Sequence, residues 1–375
     1  MASDLGNSLL SFSVELYKKL KNEGDGVSNM ICSPFSIAAA LSMTLAGARH
    51  DTAKQVSNAL HVQDDTVHQD FANFLFKLPG YAPDVILHVA NRLYTEQTYN
   101  VLEEFTRLLE KSYGTTIENV NFKRNAEKAR LQVNAWVEEV TRSKIKDLLA
   151  AGTVDASTSL IIVNAVYFKG LWHDQFDPKC TSQQEFHEAA GRSKMVNMMH
   201  QKKRFRMFHH RDLEVSALEI PYKGQKTSMV ILLPEKVDGL ADLEEGLTAS
   251  KLTEILEGLS YHGDIELSLP KFKLEQAVGL KEVLAAMGIK DLFDPSKCDL
   301  SGISANKDLV VSAAVHKAFV EVNEEGTEAA AATAMVMMKC CISFPTKFIV
   351  NHPFLFLIRS HDPDVVLFVG SVRKI

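Results

Sequence analysis

Residues 327–341 of this chain read TEAAAATAMVMMKCC, between VEVNEEG and ISFPTKFIVNHPF, two runs with strand character. The alanines favour a helix. Read with period 2, the same residues divide into two faces. Thr327, Ala329, Ala331, Thr333, Met335 and Met337 share a face that carries no charge and begins with small side chains. Glu328, Ala330, Ala332, Ala334, Val336 and Met338 share the other. Such a segment suits an exposed loop or helix, and equally a strand buried within a sheet, which is the composition expected of an element with two stable homes. An ordinary alanine-rich surface helix is the competing reading.

The remaining sequence predicts what kind of sheet surrounds it. Leu9, Leu10, Phe12, Leu16 and Leu20 recur at helical spacing, so the N-terminus reads as an amphipathic helix, not a signal peptide. SPFSIAAALSMTLAGA (33–48) starts with Ser-Pro, DTAKQVSNAL (51–60) with an aspartate cap, and NVLEEFTRLLEKSYG (100–114) ends on glycine. Residues 126–149 form a further amphipathic run. Beyond them, 159–170, 213–222, 227–234, 264–275, 316–323 and 364–372 are rich in β-branched and aromatic residues. Helices first and strands later predict an α+β fold. No repeat or Pro/Gly-rich spacer interrupts the chain, so 1–375 is read as one domain.

Composition excludes several functions. The net charge of -6, from 41 basic and 47 acidic residues, argues against nucleic acid and anionic membranes as partners. One basic run, QKKRFRMFHHR (201–211), departs from that average and reads as a solvated strand or hairpin, with a polyanion patch as the functional alternative. No apolar stretch approaches the ~18 residues that span a bilayer. The five cysteines, Cys32, Cys180, Cys298, Cys340 and Cys341, are too few and too irregular for a disulfide framework, and no Asn-x-Ser/Thr sequon occurs. Both favour a cytoplasmic setting, or an extracellular one had a signal peptide been removed. Enzyme motifs are missing: HEAAG (187–191) lacks the second zinc histidine, GQKTS (224–228) lacks the upstream P-loop glycine, and adjacent Cys340 and Cys341 do not form Cys-x-x-Cys. His209 and His210 read as a surface pair. Neither an enzyme nor a metal site is expected.

EEGTEAAAAT (324–333) followed by FIVNHPFLFLIR (348–359) resembles the hinge and C-terminal signature of the serpins, most closely the ovalbumin-type, or clade B, branch. NMICSPFSIAAALSM (29–43), VANRLYTEQTYNVLEEF (89–105), LIIVNAVYFKGLW (160–172), LPKFKLE (269–275) and VHKAFVEVNEEGTEA (315–329) resemble further blocks in the family's order. The resemblance implies three β-sheets, eight or nine helices and an exposed reactive-centre loop at about 324–345. It also implies a monomeric suicide inhibitor whose loop is cleaved by a target serine protease, held as an acyl-enzyme, and inserted into the main sheet. A cysteine protease is a further partner by family analogy. A non-inhibitory serpin that binds or carries another molecule is the alternative function.

The resemblance assigns residue roles. Glu324, Glu325, Gly326, Thr327, Glu328, Ala329, Ala330, Ala331 and Ala332 correspond to the inserting hinge, whose small residues favour inhibition. Ser33, Ser36, Asn164 and His316 correspond to the shutter, where strands part. Trp172, Lys271 and Glu324 correspond to the breach, with an ion pair expected between Lys271 and Glu324. The family's register places the cleaved bond fourteen residues after Gly326, at Cys340–Cys341, and Pro353 thirteen residues beyond Cys340 fits the clade B spacing. A small apolar thiol suits a shallow elastase- or chymotrypsin-like pocket, whereas Lys339, giving Lys339–Cys340, suits a trypsin-like one. Met337 and Met338 remain alternatives. No cofactor is implied, apart from a polyanion or glycosaminoglycan acting as modulator.

Overall fold

The structure is a computed structural model that describes residues 4–63, 66–306, 308–327 and 345–375. Its helices are α1 (Asp4–Glu23), α2 (Pro34–Gly47), α3 (His50–Leu60), α4 (Val67–Lys77), α5 (Glu103–Tyr113), α6 (Phe122–Val140), α7 (Leu240–Gly246), α8 (Ala249–Gly258) and α9 (Lys281–Ala286). The strands of the N-terminal half are β1 (Met30–Cys32), β2 (Val85–Glu96), β3 (Ile117–Val120), β4 (Leu160–Leu171), β5 (Ser182–Ala189) and β6 (Arg192–His210). They continue with β7 (Val215–Pro221), β8 (Thr227–Pro234), β9 (Ser260–Pro270), β10 (Phe272–Gly279), β11 (Val311–Val322), β12 (Gly326–Thr327), β13 (Thr346–Ile349), β14 (Phe354–His361) and β15 (Asp364–Val372).

Two hydrogen-bonded arrays result. One has the order β10-β11-β4-β2-β3, with β12 added on β4; the other runs β1-β15-β14-β8-β7-β6-β9-β13, with β5 on β6. The three expected sheets become two arrays because β6 belongs to two layers. Its C-terminal end pairs with β7 and the rest with β9 and β5, across a register shift between Arg204 and Arg206 that bends the strand. The α+β class holds, and the basic run, up to His210, lies within β6. Pro270 divides the single strand expected at 264–275 into β9 and β10, since it has no N–H for the ladder. Strand β2 was not anticipated. Its intermediate burial and its His88, Asn91 and Arg92 conceal the β pattern.

α2 is buried along almost its entire length, Pro34–Leu45 without a break, which explains its apolar composition without a polar stripe. Ser33 caps it, its Oγ accepting the Ser36 N–H at 3.2 Å, and Pro34 occupies the first turn. The buried Glu96 carboxylate accepts the Phe122 and Lys123 N–H groups at 2.7 and 3.0 Å, satisfying the positive end of α6. β4 shows how the core is divided. Leu160, Ile162, Val166 and Phe168 join the main cluster, while Ile161, Val163, Ala165 and Tyr167 pack in a second cluster with Val133 and Val137 of α6. A strand covered on both faces reads as one continuous apolar run.

The C-terminus is tied down by a buried charge. Glu244 of α7 accepts from Tyr17 Oη and, at 2.6 Å, from Arg373 Nη2, with Lys21 Nζ 3.5 Å away. Burial first, and then the Glu244 charge, push the Tyr17 hydroxyl well above its ordinary pKa, so it stays a donor. Glu244→Gln leaves the largely buried Arg373 without its counter-charge. A loss of about 3 kcal/mol is expected in urea unfolding, and an unchanged midpoint contradicts the assignment.

Candidate functional site

β4 and β11 are parallel neighbours from Val311 opposite Leu160 to Phe319 opposite Tyr167. Above that pair both strands continue, to Val322 and Leu171, but they no longer pair with each other. There β12 takes over the edge of β4, running antiparallel, with Gly326 opposite Leu171 and Thr327 opposite Gly170. The chain leaving β11 therefore turns back and enters the top of the seam between β11 and β4.

The turn is closed from both sides. Asn323 N–H donates to Gly326 O at 2.9 Å, and the Asn323 Oδ1 accepts the Glu325 and Gly326 N–H groups at 3.1 and 3.3 Å. Trp172 N–H donates to Glu325 O and Phe176 N–H to Glu324 O, both at 2.8 Å, while Trp172 Nε1–H reaches Asn323 O at 2.9 Å. The indole stacks on Tyr222 at 4.6 Å, which fixes its plane. Gly326 has φ +145, and a Cβ there would strike Gly170 O and come within 2.7 Å of Leu171 Cα. Only glycine combines this backbone with so close an approach.

Glu324 is the charged member of this entry point. Its Oε2 lies 2.7 Å from Lys271 Nζ, and its Oε1 accepts from Thr181 Oγ1 at 2.8 Å. Burial alone would raise its pKa. Hydrogen bonds from Lys271, Thr181 and the backbone, with the Lys271 charge, outweigh burial and hold it below the ordinary value. The paired carboxylate thus adds stability above the unfolded glutamate pKa of about 4.3, which is lost as the pH falls through the lower folded value.

Halfway down the seam lies a buried polar network. His316 of β11 and Asn164 of β4 are directly opposite, as are Asn164 and Asn91 of β2. Asn164 Nδ2 donates to Ser36 O and Ser36 Oγ, both at 2.7 Å, and to Asn91 Oδ1. Ser33 N–H donates to His316 Nε2 at 3.1 Å, which leaves His316 Nδ1–H to donate to Asn164 Oδ1. Ser33 Oγ closes the network on Leu367 O at 2.6 Å. The start of α2 is thereby bonded to three adjacent strands. Burial pushes the His316 imidazole down to about 3, so it is neutral at physiological pH.

The structure brings Ser33, Ser36, Asn164 and His316 together at mid-seam and Trp172, Lys271, Glu324, Glu325 and Gly326 at its top. Thr327 pairs on β4, whereas Glu328, Ala329, Ala330, Ala331, Ala332, Lys339, Cys340 and Cys341 lie outside the described residues. Asn91, Asn323, Thr181 and Tyr222 escaped the sequence reading. Gly170 carried a usable signal, since a glycine inside a strand marks close backbone approach. The basic run holds less free charge than its composition suggests: Lys203 pairs with Asp174 at 3.1 Å, Arg206 with Glu219 at 2.7 Å, and Lys202 faces Glu266. Among the described residues no group of three His, Cys, Asp or Glu is placed to hold a metal.

Two outcomes are expected. Unfolded histidine titrates near 6.5 and folded His316 near 3. The unfolded chain therefore binds the extra proton, and stability is full above about 6.5 and falls by roughly 1.4 kcal/mol per unit between those values. His316→Gln should lower stability at pH 7 and flatten the pH dependence of the urea midpoint, and parallel profiles contradict this. Glu324→Lys sets like charges against Lys271 and loosens the top of the seam. Gentle heating should then yield polymers on native gels, and a monomeric variant with unchanged melting argues against that role.

The profile of the family described as Serpin (serine protease inhibitor) matches residues 7–375. "Iris" of Ixodes ricinus is 62% identical over 378 residues, covering 100% of both chains. "Leukocyte elastase inhibitor" of Homo sapiens is 42% identical, with 98% of each chain covered. Uncleaved ovalbumin superimposes with a TM-score of 0.91 at 32% identity over 100% of both chains.

Proposed function

The chain belongs to the serpin family of protease inhibitors, and we propose that it captures its target serine protease covalently, by cleavage of the reactive-centre loop at about 324–345 and insertion of its upstream half between β4 and β11. The single observation carrying this reading is the antiparallel register of β12 on β4. Continued downward, each further loop residue meets the preceding residue of β4. Ala329 then falls opposite Phe168, Ala331 opposite Val166, Thr333 opposite Asn164, Met335 opposite Ile162 and Met337 opposite Leu160, the first residue of the strand. Residues directly opposite share a face.

Phe168, Val166, Ile162 and Leu160 belong to the main core cluster. The uncharged face of the loop is thus the one directed into that core, and Glu328 faces the α6 side. Small residues enter first, where a large or charged one would clash or be desolvated unpaired. Fourteen inserted residues span roughly 46 Å at ~3.3 Å each, far enough to carry an attached protease from one end of the sheet to the other. The parallel β4–β11 ladder is replaced by two antiparallel ones, which are slightly more stable per residue.

Thr333 arrives at the level of Asn164 and His316 and must take over part of a polar network that loses its β4–β11 bond as the strands separate. A hydroxyl serves there, whereas an apolar side chain of the same shape leaves a buried acceptor unmet.

We place the cleaved bond at Cys340–Cys341, with Lys339–Cys340 as the rival, and the relative named Leukocyte elastase inhibitor makes an elastase the first protease to assay. Incubation with elastase, chymotrypsin and trypsin should give an SDS-stable complex with at least one, and mass spectrometry of the released C-terminal fragment assigns the bond. Simple cleavage by all three, with no rise in melting temperature afterwards, favours the non-inhibitory binding or carrier reading. A papain arm tests the extension to cysteine proteases.

A further inference from the structure

Two separate hydrogen-bond patterns fix where the chain beyond β11 stands, and they agree. Asn323 and Gly326 exchange both backbone bonds, Asn323 N–H to Gly326 O at 2.9 Å and Gly326 N–H to Asn323 O at 3.3 Å. That exchange marks a hydrogen-bonded antiparallel pair, so the two residues already form the closing rung of a hairpin whose loop is Glu324–Glu325. Independently, β12 pairs on β4 with Gly326 opposite Leu171. In the seam itself Ala318 faces Val166 and His316 faces Asn164. Continued down β11, the 323–326 rung sets Ala331 opposite Ala318 and Thr333 opposite His316. Continued down β4, the β12 register sets Ala331 opposite Val166 and Thr333 opposite Asn164. Each inserted residue would therefore meet two residues that now face each other, and insertion needs no slip on either side. A slip of one residue against either strand would reverse the faces there.

The turn that fixes this register is not one that a two-residue hairpin favours. Such loops prefer φ > 0 at the first or at both central residues. Gly326 is among the positive-φ residues, at +145, and neither Glu324 nor Glu325 is. The turn is closed instead by the carboxamide of the buried Asn323, whose Oδ1 accepts Glu325 N–H at 3.1 Å and Gly326 N–H at 3.3 Å. Asparagine suits this place because its short side chain bonds the backbone two residues on. We propose that Asn323 is a positioning residue for loop insertion: its side chain holds the rung that sets the register, so insertion propagates from a hairpin end already closed. This rests on the inhibitory function proposed above. Without the carboxamide the turn must close, or correct its register, while deacylation competes. Slower insertion lets the acyl-enzyme hydrolyse more often, and more inhibitor is consumed for each protease trapped. Trp172 Nε1–H bonds the Asn323 carbonyl and not its side chain, so Asn323→Ala keeps that grip on the hinge.

The full chain is assayed with a protease that forms the stable complex. The loop of Asn323→Ala should be cleaved at the parental initial rate, while the inhibitor consumed beyond one per protease trapped rises about tenfold, as for a hydrogen-bonded side chain lost from a buried turn. Asn323→Asp, whose carboxylate accepts the same two N–H groups, should restore the parental value. Asn323→Ser, whose hydroxyl accepts one of them, repeats the test if the alanine variant does not fold, with an intermediate rise expected. Unchanged consumption in Asn323→Ala overturns the proposal, as does an Asn323→Asp variant as defective as alanine. A parent that traps no protease overturns the inhibitory function instead. The role of Asn323 is then decided by how fast the cleaved chain gains its higher melting temperature. A slower gain in Asn323→Ala supports it, whereas equal rates, or no gain in the parent, overturn it.

Discussion

The edge of β4 has two suitors. Along its lower part it is bonded to β11, and at its upper end to the first residues after the turn at Asn323–Gly326. A strand edge satisfies one partner at a time, because each N–H and C=O points to one side. Between the end of β11 pairing at Phe319 and the pairing of β12 at Gly326–Thr327 the two claims meet, and the rest of the molecule sets how firmly each is held. Gly326 allows the hinge to approach β4 at all, and Trp172 with the 172–176 segment fixes where it stands.

The directional contacts across the seam are concentrated in polar groups. His316, Asn164, Asn91, Ser33 and Ser36 exchange hydrogen bonds at the one level where α2 meets three strands, in surroundings otherwise made of buried aliphatic side chains. Such bonds are strong there because nothing else can satisfy their members, and they are directional in a way that packing is not. Lys271 and Glu324 add a second, charge-based point of hold at the top.

Legibility in the sequence varied with the kind of signal. α2, α5, β7 and β8 were visible because each has a cap, a terminal glycine or a sustained run of one period. β2 was not, since a strand half covered by a helix carries polar residues at positions the alternation pattern expects to be apolar. The long β6 was glimpsed only as a basic run, because the bend that lets it serve two layers arises from its partners. At the site, the hinge glycine and the small residues could be read directly. Asn91, Asn323 and Tyr222 could not, because an asparagine or tyrosine becomes a network member only through the strand set opposite it.

The sequence by itself determined the uncharged small-residue side of the segment after Gly326, the helix at α2, the strand at β4, and the family pattern in which these occur. Those properties are local, written in propensity, period and side-chain size. Tertiary structure alone decided where the chain beyond β11 meets β4, with Gly326 opposite Leu171 and Thr327 opposite Gly170. It also decided that His316 is neutral and bonded to Asn164. Pairing register and burial are relations between distant segments, and only the assembled chain brings them together.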